Sequence, residues 1–197
     1  MNLALFDFDG TISSRDSYLL FLWYMEKGKV IRTCLSCLPQ IVLYKLGRYP
    51  NQKMKETFLA ALFAGEYLSE LQVNSERYCN TVLPSIIRLG FWQSLDWHHK
   101  NGDEVVVVTA SPEFILRPWC RAHGIALIGT EVEVDSSGRL TGRISGRNCM
   151  GDEKVRRVTS SYSIETYNKL FAYGDTKSDL PMLHLAPPEN RFYKPFR

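Results

Sequence analysis

The run Leu3-Ala4-Leu5-Phe6-Asp7-Phe8-Asp9-Gly10-Thr11 constrains this chain more than any other segment. A short apolar stretch that ends abruptly in charge reads as a buried β-strand whose C-terminal tip carries Asp7 and Asp9. Ligands of open α/β sheets bind outside the carboxyl ends of the strands. Side chains alternate along an extended backbone, so the two carboxylates are expected on one side of it. Two anions that close repel unless a cation or a proton lies between them. The pair therefore points to a metal-assisted active site and not to packing.

The rest of the chain alternates in character. From residue 13 to 83 the pattern is helical, interrupted at Gly28, Gly47 and Gly65, with Pro39 kinking or splitting the second helix. Asp16 or Ser17 is a candidate cap for the first helix. Pro84 is expected to open a helix that runs to Lys100. Glu104 to Thr109 is the strongest strand pattern, because it is a β-branched run. A helix over 112–123 follows, with Ser111-Pro112 fitting a helix start, and then a short strand at 125–128. Asp135-Ser136-Ser137-Gly138 reads as a hairpin turn. A helix over 152–160, a strand over 170–173 ending at Gly174-Asp175, and a short helix over 181–185 complete the pattern. Alternating strands and helices imply an α/β fold with a doubly wound parallel sheet. The expected core is 1–12 together with 84–197, and the expected helical insertion is 13–83.

Four groups fall at strand ends or helix starts: Asp7/Asp9, Thr109-Ala110-Ser111, Lys154, and Gly174-Asp175 with Asp179. In one doubly wound sheet the strand tips share an edge, so these distant groups can meet. Two or three carboxylates suit a hard cation, Mg²⁺ by preference. One carboxylate can attack phosphorus and form an aspartyl-phosphate. A hydroxyl, backbone amides and an ammonium then surround the phosphoryl oxygens, which is most of what phosphoryl transfer needs. Arg156 and Arg157 are close rivals for the place given to Lys154, which is favoured because it lies in the first turn of its helix.

Asp7-Phe8-Asp9-Gly10-Thr11, Val108-Thr109-Ala110-Ser111, Lys154 and Gly174-Asp175-Thr176-Lys177-Ser178-Asp179 resemble the four motifs of the haloacid dehalogenase superfamily. The insertion after the first motif is similar to the small helical cap of its phosphoserine-phosphatase-like branch, which includes phosphatidylglycerophosphatase C. The resemblance implies a Rossmann-like core and a phosphomonoester hydrolase. It makes Asp7 the nucleophile and Asp9 the acid and base. Mg²⁺ would be held by Asp7, the backbone carbonyl of Asp9, and Asp175, with Asp179 behind them. Gly10, Thr109, Ala110, Ser111 and Lys154 would bind the phosphate. Asp16 matches a position where phosphoserine phosphatases carry a Glu that reads the substrate's amino group. No Arg matches the one that would hold a substrate carboxylate there; Arg48 is a candidate. Alternatives are a phosphoserine phosphatase, a phosphotransferase, and an inactive phosphate-binding homologue.

Composition limits the partners. Net charge is +3 and the basic residues are scattered, so nucleic acid is not indicated. The five cysteines lack disulfide spacing and suit a reducing cytoplasm. Cys34 and Cys37 read as neighbours on an apolar helix face. His98, His99, His123 and His184 lack metal-ligand spacing and read as surface or packing residues. No signal peptide is visible, and the apolar region 18–46 is too interrupted by charge and Pro39 for a membrane span. The helical insertion is rich in aromatic and aliphatic residues: Tyr18, Phe21, Trp23, Tyr24, Leu35, Leu38, Ile41, Val42, Leu43, Tyr44, Phe58 and Phe63. Most are expected to pack its own helices. An excess would line an apolar pocket or touch a membrane surface. The expected partner is a phosphorylated small molecule or a phospholipid headgroup.

Overall fold

Every residue of strand β1 (Leu3–Phe6) is fully buried, and alternate positions feed two different cores. Ala4 and Phe6 join a large cluster on one face of the sheet, while Leu3 and Leu5 join a smaller one on the other. Strand β2 (Glu104–Pro112) does the same, with Val105 and Val107 on the first face and Val106 and Val108 on the second. A strand covered on both faces must be apolar throughout, which is why these runs do not alternate with polar residues. The computed structural model describes residues 1–197.

Three more strands, β3 (Ala126–Thr130), β6 (Leu170–Gly174) and β7 (Arg191–Tyr193), complete a parallel sheet in the order β3-β2-β1-β6-β7. Helices α5 (Leu89–Lys100), α6 (Glu113–Ala122), α7 (Asp152–Ser161) and α8 (Leu180–Leu183) flank it. The α/β fold expected from the sequence is the one observed. Register explains why remote motifs meet. Phe6 pairs with Val107 on one side and with Tyr173 on the other. The residues just beyond, Asp7, Val108-Thr109 and Gly174-Asp175, therefore emerge side by side at one sheet edge. The Asp7 amide still donates to the Tyr173 carbonyl, at 2.9 Å.

Between β1 and α5 lie four helices: α1 (Ser17–Ser36), α2 (Leu38–Lys45), α3 (Asn51–Phe63) and α4 (Leu68–Thr81). Helix α1 kinks at Glu26, whose φ of −154° and ψ of 72° are not helical. Pro39 stands in the first turn of α2, where a missing N–H costs nothing. A hairpin of β4 (Val132–Val134) and β5 (Leu140–Ile144) leans on this helical segment. At Gly142 a Cβ would come within 2.5 Å of the Ala60 backbone on α3, so the hairpin needs glycine there. Its turn forms as expected, with Asp135 Oδ1 accepting from the Ser137 and Arg139 amides.

The structure corrects several expectations. No helix starts at Pro84. Leu83–Ile86 is a 3₁₀ turn, and Ile87 and Arg88 are extended because they pair with the loop after β1, the Arg88 amide donating to the Ile12 carbonyl. Strand β7 was not anticipated; it is three residues at a sheet edge. Ser111 is the penultimate residue of β2 and does not cap α6. The aromatic and aliphatic side chains of the helical segment pack inward only in part. Tyr18, Phe21, Phe58 and Phe63 are buried, whereas Trp23, Tyr24, Leu35, Leu38, Val42, Leu43 and Tyr44 are exposed, and α2 has no buried residue at all. The reason is geometric: α2 lies at the outer end of the segment and no further element covers it. No helix is long and apolar enough to cross a membrane.

Candidate active site

Strand β1 delivers Asp7 into a buried site where each of its oxygens has a partner. Oδ1 accepts from Lys154 Nζ at 2.5 Å, and Oδ2 accepts from Thr11 Oγ1 at 3.2 Å. Lys154 reaches from the first turn of α7 and is itself buried, donating also to Asp179 Oδ1 at 2.8 Å. Burial disfavours the charged amine, but Asp7 and Asp179 more than offset this and hold the ammonium above its ordinary range. Burial pushes the Asp7 carboxyl up, to about 7, against the pull of Lys154 and with help from Asp179 and Asp9. A bound divalent cation would act in the opposite direction. The rivals Arg156 and Arg157 pair with Glu153 and do not line the cleft.

Asp7, Asp175 and Asp179 each offer an oxygen within 4.8 Å of the others. The two acids after β6 differ in what is left over. Asp179 is spoken for: Oδ1 takes Lys154, and Oδ2 takes the amide and hydroxyl of Thr176 at 2.9 and 2.7 Å. Burial raises its carboxyl, yet Lys154 and these bonds bring it below the usual range. Asp175 Oδ2 accepts from Arg197 Nη2 at 2.6 Å, but Oδ1 is buried without any partner. An orphaned buried carboxylate oxygen is costly unless something charged fills its place. An all-oxygen cluster with one free oxygen fits Mg²⁺. Two glycines make the cluster possible. At Gly10, where φ is +90°, a Cβ would lie 2.6 Å from Asp175 Oδ2; at Gly174 one would lie 2.6 Å from Asp179 Cβ.

Asp9 faces the same cleft as Asp7 but has its own partners. Asp9 Oδ1 accepts from the Ser17 amide at 2.7 Å, at the start of α1, and Oδ2 accepts from Ser111 Oγ at 2.6 Å. Its carboxyl is outside the three-acid cluster. Asp9 thus joins the first helix of the segment to the end of β2 while still lining the cleft.

The cleft holds about 170 Å³. Ala110 and Ser111 line it, whereas Thr109 is fully buried beneath and its Oγ1 accepts from the Ser111 amide at 3.0 Å. Asp16 caps its helix, α1, accepting from the Leu19 amide at 2.8 Å, and also reaches the cleft, lining its mouth. The enclosure of its carboxyl, and then the Asp9 charge, push it up. Arg48 is exposed and does not reach the cleft.

Sequence reasoning missed Lys55. It projects from α3 into the cleft wall, where Nζ donates to the Ala110 carbonyl and to Asn148 Oδ1, the latter at 2.8 Å. Burial pushes the ammonium down, to about 8, with Asp9 and Asp16 acting the other way. A signal existed: Lys55 stands among Met54, Phe58, Leu59 and Leu62, the buried face of its helix.

A family model for haloacid dehalogenase-like hydrolases matches residues 4–184. The chain belongs to this family. It is 31% identical to Protein CicA of Caulobacter vibrioides over 199 residues, covering 99% of this chain and 86% of that protein. It is 29% identical to a histidinol-phosphatase of Neisseria meningitidis serogroup C, covering 94% and 87%. A crystal structure of a Bordetella pertussis Tohama I protein of unknown function matches with a TM-score of 0.81 and 27% identity, over 94% of this chain and 86% of that one. A phospho-aspartyl intermediate analogue of phosphoserine phosphatase shares the fold, with a TM-score of 0.64 at 17% identity over 94% and 83%. Family membership and the relatives named as phosphatases together support a phosphatase.

Proposed function

We propose that this chain is a Mg²⁺-dependent phosphomonoester hydrolase that works through an aspartyl-phosphate at Asp7, with residues 13–83 acting as a cap over the cleft. The observation that carries this reading is the position of Asp7, held by Lys154 beside the unpartnered Asp175 oxygen. Asp7 and Asp175, with the Asp9 backbone carbonyl, would hold the metal. When bound, Mg²⁺ supplies positive charge against the phosphoryl oxygens and removes the repulsion between them and Asp7.

An Asp7 oxygen attacks phosphorus, and the bond from phosphorus to the leaving oxygen breaks as the bond to Asp7 forms. Asp9, oriented by Ser17 and Ser111, gives its proton to the leaving oxygen. Water then attacks the phosphorus of the acyl phosphate while Asp9 takes back a proton. Phosphate leaves and Asp7 is restored. Lys154 keeps Asp7 oriented and balances the charge that gathers there. Lys55 and Asp16 give the mouth of the cleft one cation and one carboxyl, which suits a small polar phosphomonoester or a headgroup.

The test is turnover of p-nitrophenyl phosphate. The wild-type protein should release phosphate in Mg²⁺ and stop in EDTA, and Asp7→Asn should release none. Retained turnover in that variant removes the nucleophile assignment. Adding glycerol as an acceptor distinguishes hydrolysis from transfer: hydrolysis requires phosphate and p-nitrophenol in equal amounts.

A further inference from the structure

The outer face of α1 and α2 is apolar without a partner. Ile31, Leu35, Leu38, Val42 and Leu46 recur at spacings of four, three, four and four, the period of one helical face. The two helices meet almost without a break, since the Cys37 amide donates to Thr33 and the Ile41 amide to the Cys37 carbonyl. All five side chains are exposed; Leu35 is 63% exposed, Val42 54% and Leu46 64%. Trp23 and Tyr24 on α1 and Tyr44 on α2 add exposed aromatic rings. Isolated exposed apolar side chains need no explanation, but a continuous stripe of this size marks an interaction surface.

Charge decides what kind of surface it meets. Residues 17–50 carry five basic side chains, Lys27, Lys29, Arg32, Lys45 and Arg48, and a single acid, Glu26. That is an excess of four, where the whole chain's excess is only three. These basic side chains lie in the same segment as the apolar stripe, which gives that segment a local positive excess. A second copy of the chain seated on this face would bring the same cations against each other. An anionic lipid surface would meet both features: apolar side chains enter the headgroup boundary and basic ones remain at the phosphates.

We propose that the α1–α2 face docks this protein reversibly on anionic membrane surfaces. Helix α2 meets the cleft on its other side, where Tyr44 Oη accepts from Asn51 Nδ2 at 2.9 Å and Asn51 lines the cleft. The proposal stands independently of the chemistry assigned to Asp7.

Co-sedimentation with vesicles tests it. The wild-type chain should bind vesicles of phosphatidylcholine containing phosphatidylglycerol at least about tenfold more tightly than vesicles of phosphatidylcholine alone, and added salt should weaken that binding. The double variant Leu35→Glu, Val42→Glu should lose the binding while keeping wild-type circular dichroism and wild-type turnover of p-nitrophenyl phosphate. Charge reversal by Arg32→Glu with Lys45→Glu should lose it too. Absence of binding, equal binding to both vesicles, or binding that survives in the variants would overturn the proposal. So would a dimer of the wild-type chain that Leu35→Glu, Val42→Glu dissociates, since the face would then belong to a second copy.

Discussion

Lys154 Nζ lies 2.5 Å from Asp7 Oδ1, which ties the first turn of α7 to the tip of β1 across 147 residues of sequence. The same ammonium holds Asp179, so a single cation balances two buried acids. Breaking a buried pair by removing one partner is more damaging than never having built it. Lys154→Met should destabilise the metal-free protein by about 3–5 kcal/mol and lower turnover by about a hundredfold or more. Urea unfolding in EDTA reads the first effect and p-nitrophenyl phosphate turnover in Mg²⁺ the second.

Gly10 and Gly65 share a left-handed backbone, at φ +90° and +86°, but only Gly10 faces the acids. Alanine at either position should cost about 1–2 kcal/mol of stability through backbone strain. Only Gly10→Ala displaces Asp175, so only it should raise the Mg²⁺ concentration needed for half-maximal activity. Equal Mg²⁺ requirements in the two variants would show that the close approach of Gly10 to Asp175 has no part in metal binding.

Lys55 is the cation of the cleft wall that lacks an acidic partner, its bonds going to a carbonyl and an amide oxygen. Its ammonium is pushed down to about 8, so it is charged below that pH and neutral above it. Attraction for an anionic substrate should therefore fade as pH rises past about 8. KM for a phosphomonoester should climb there in the wild-type enzyme. In Lys55→Met, KM should be higher at neutral pH and lack this rise.

His98 is buried between Asp103 and Tyr173, at 2.8 Å from Asp103 Oδ2 and 3.0 Å from Tyr173 Oη. Burial, against the pull of Asp103, pushes its imidazole below the ordinary value. The unfolded chain takes up this proton near pH 6.5, whereas the folded chain resists it until a lower pH. The unfolded state thus binds more protons, and stability falls as pH drops through about 6.5. Denaturant unfolding at pH 7 and pH 5 should show that loss, and His98→Asn should show a smaller one.

Much of the fold was legible because β1 and β2 are buried on both faces and so read as unbroken apolar runs. The site was legible because the motif residues follow strand ends, and register brings strand ends together. Three things were hidden for physical reasons. The partners of Asp9, the Ser17 amide and the Ser111 hydroxyl, come from α1 and from the end of β2, and alternation along β1 does not mark them. Lys55 belongs to no motif; its place depends on how α3 meets the loop at Ala110. The exposed stripe on α2 has the pattern of a core helix, and only the absence of an opposing element turns it outward.

The most direct measurement is acid quench of a single turnover with phosphate-labelled substrate, followed by peptide mapping. Label on the peptide carrying Asp7, absent from Asp7→Asn and formed before phosphate is released, is the expected result. Phosphate release with no labelled chain at any time, or label that persists in Asp7→Asn, would contradict it.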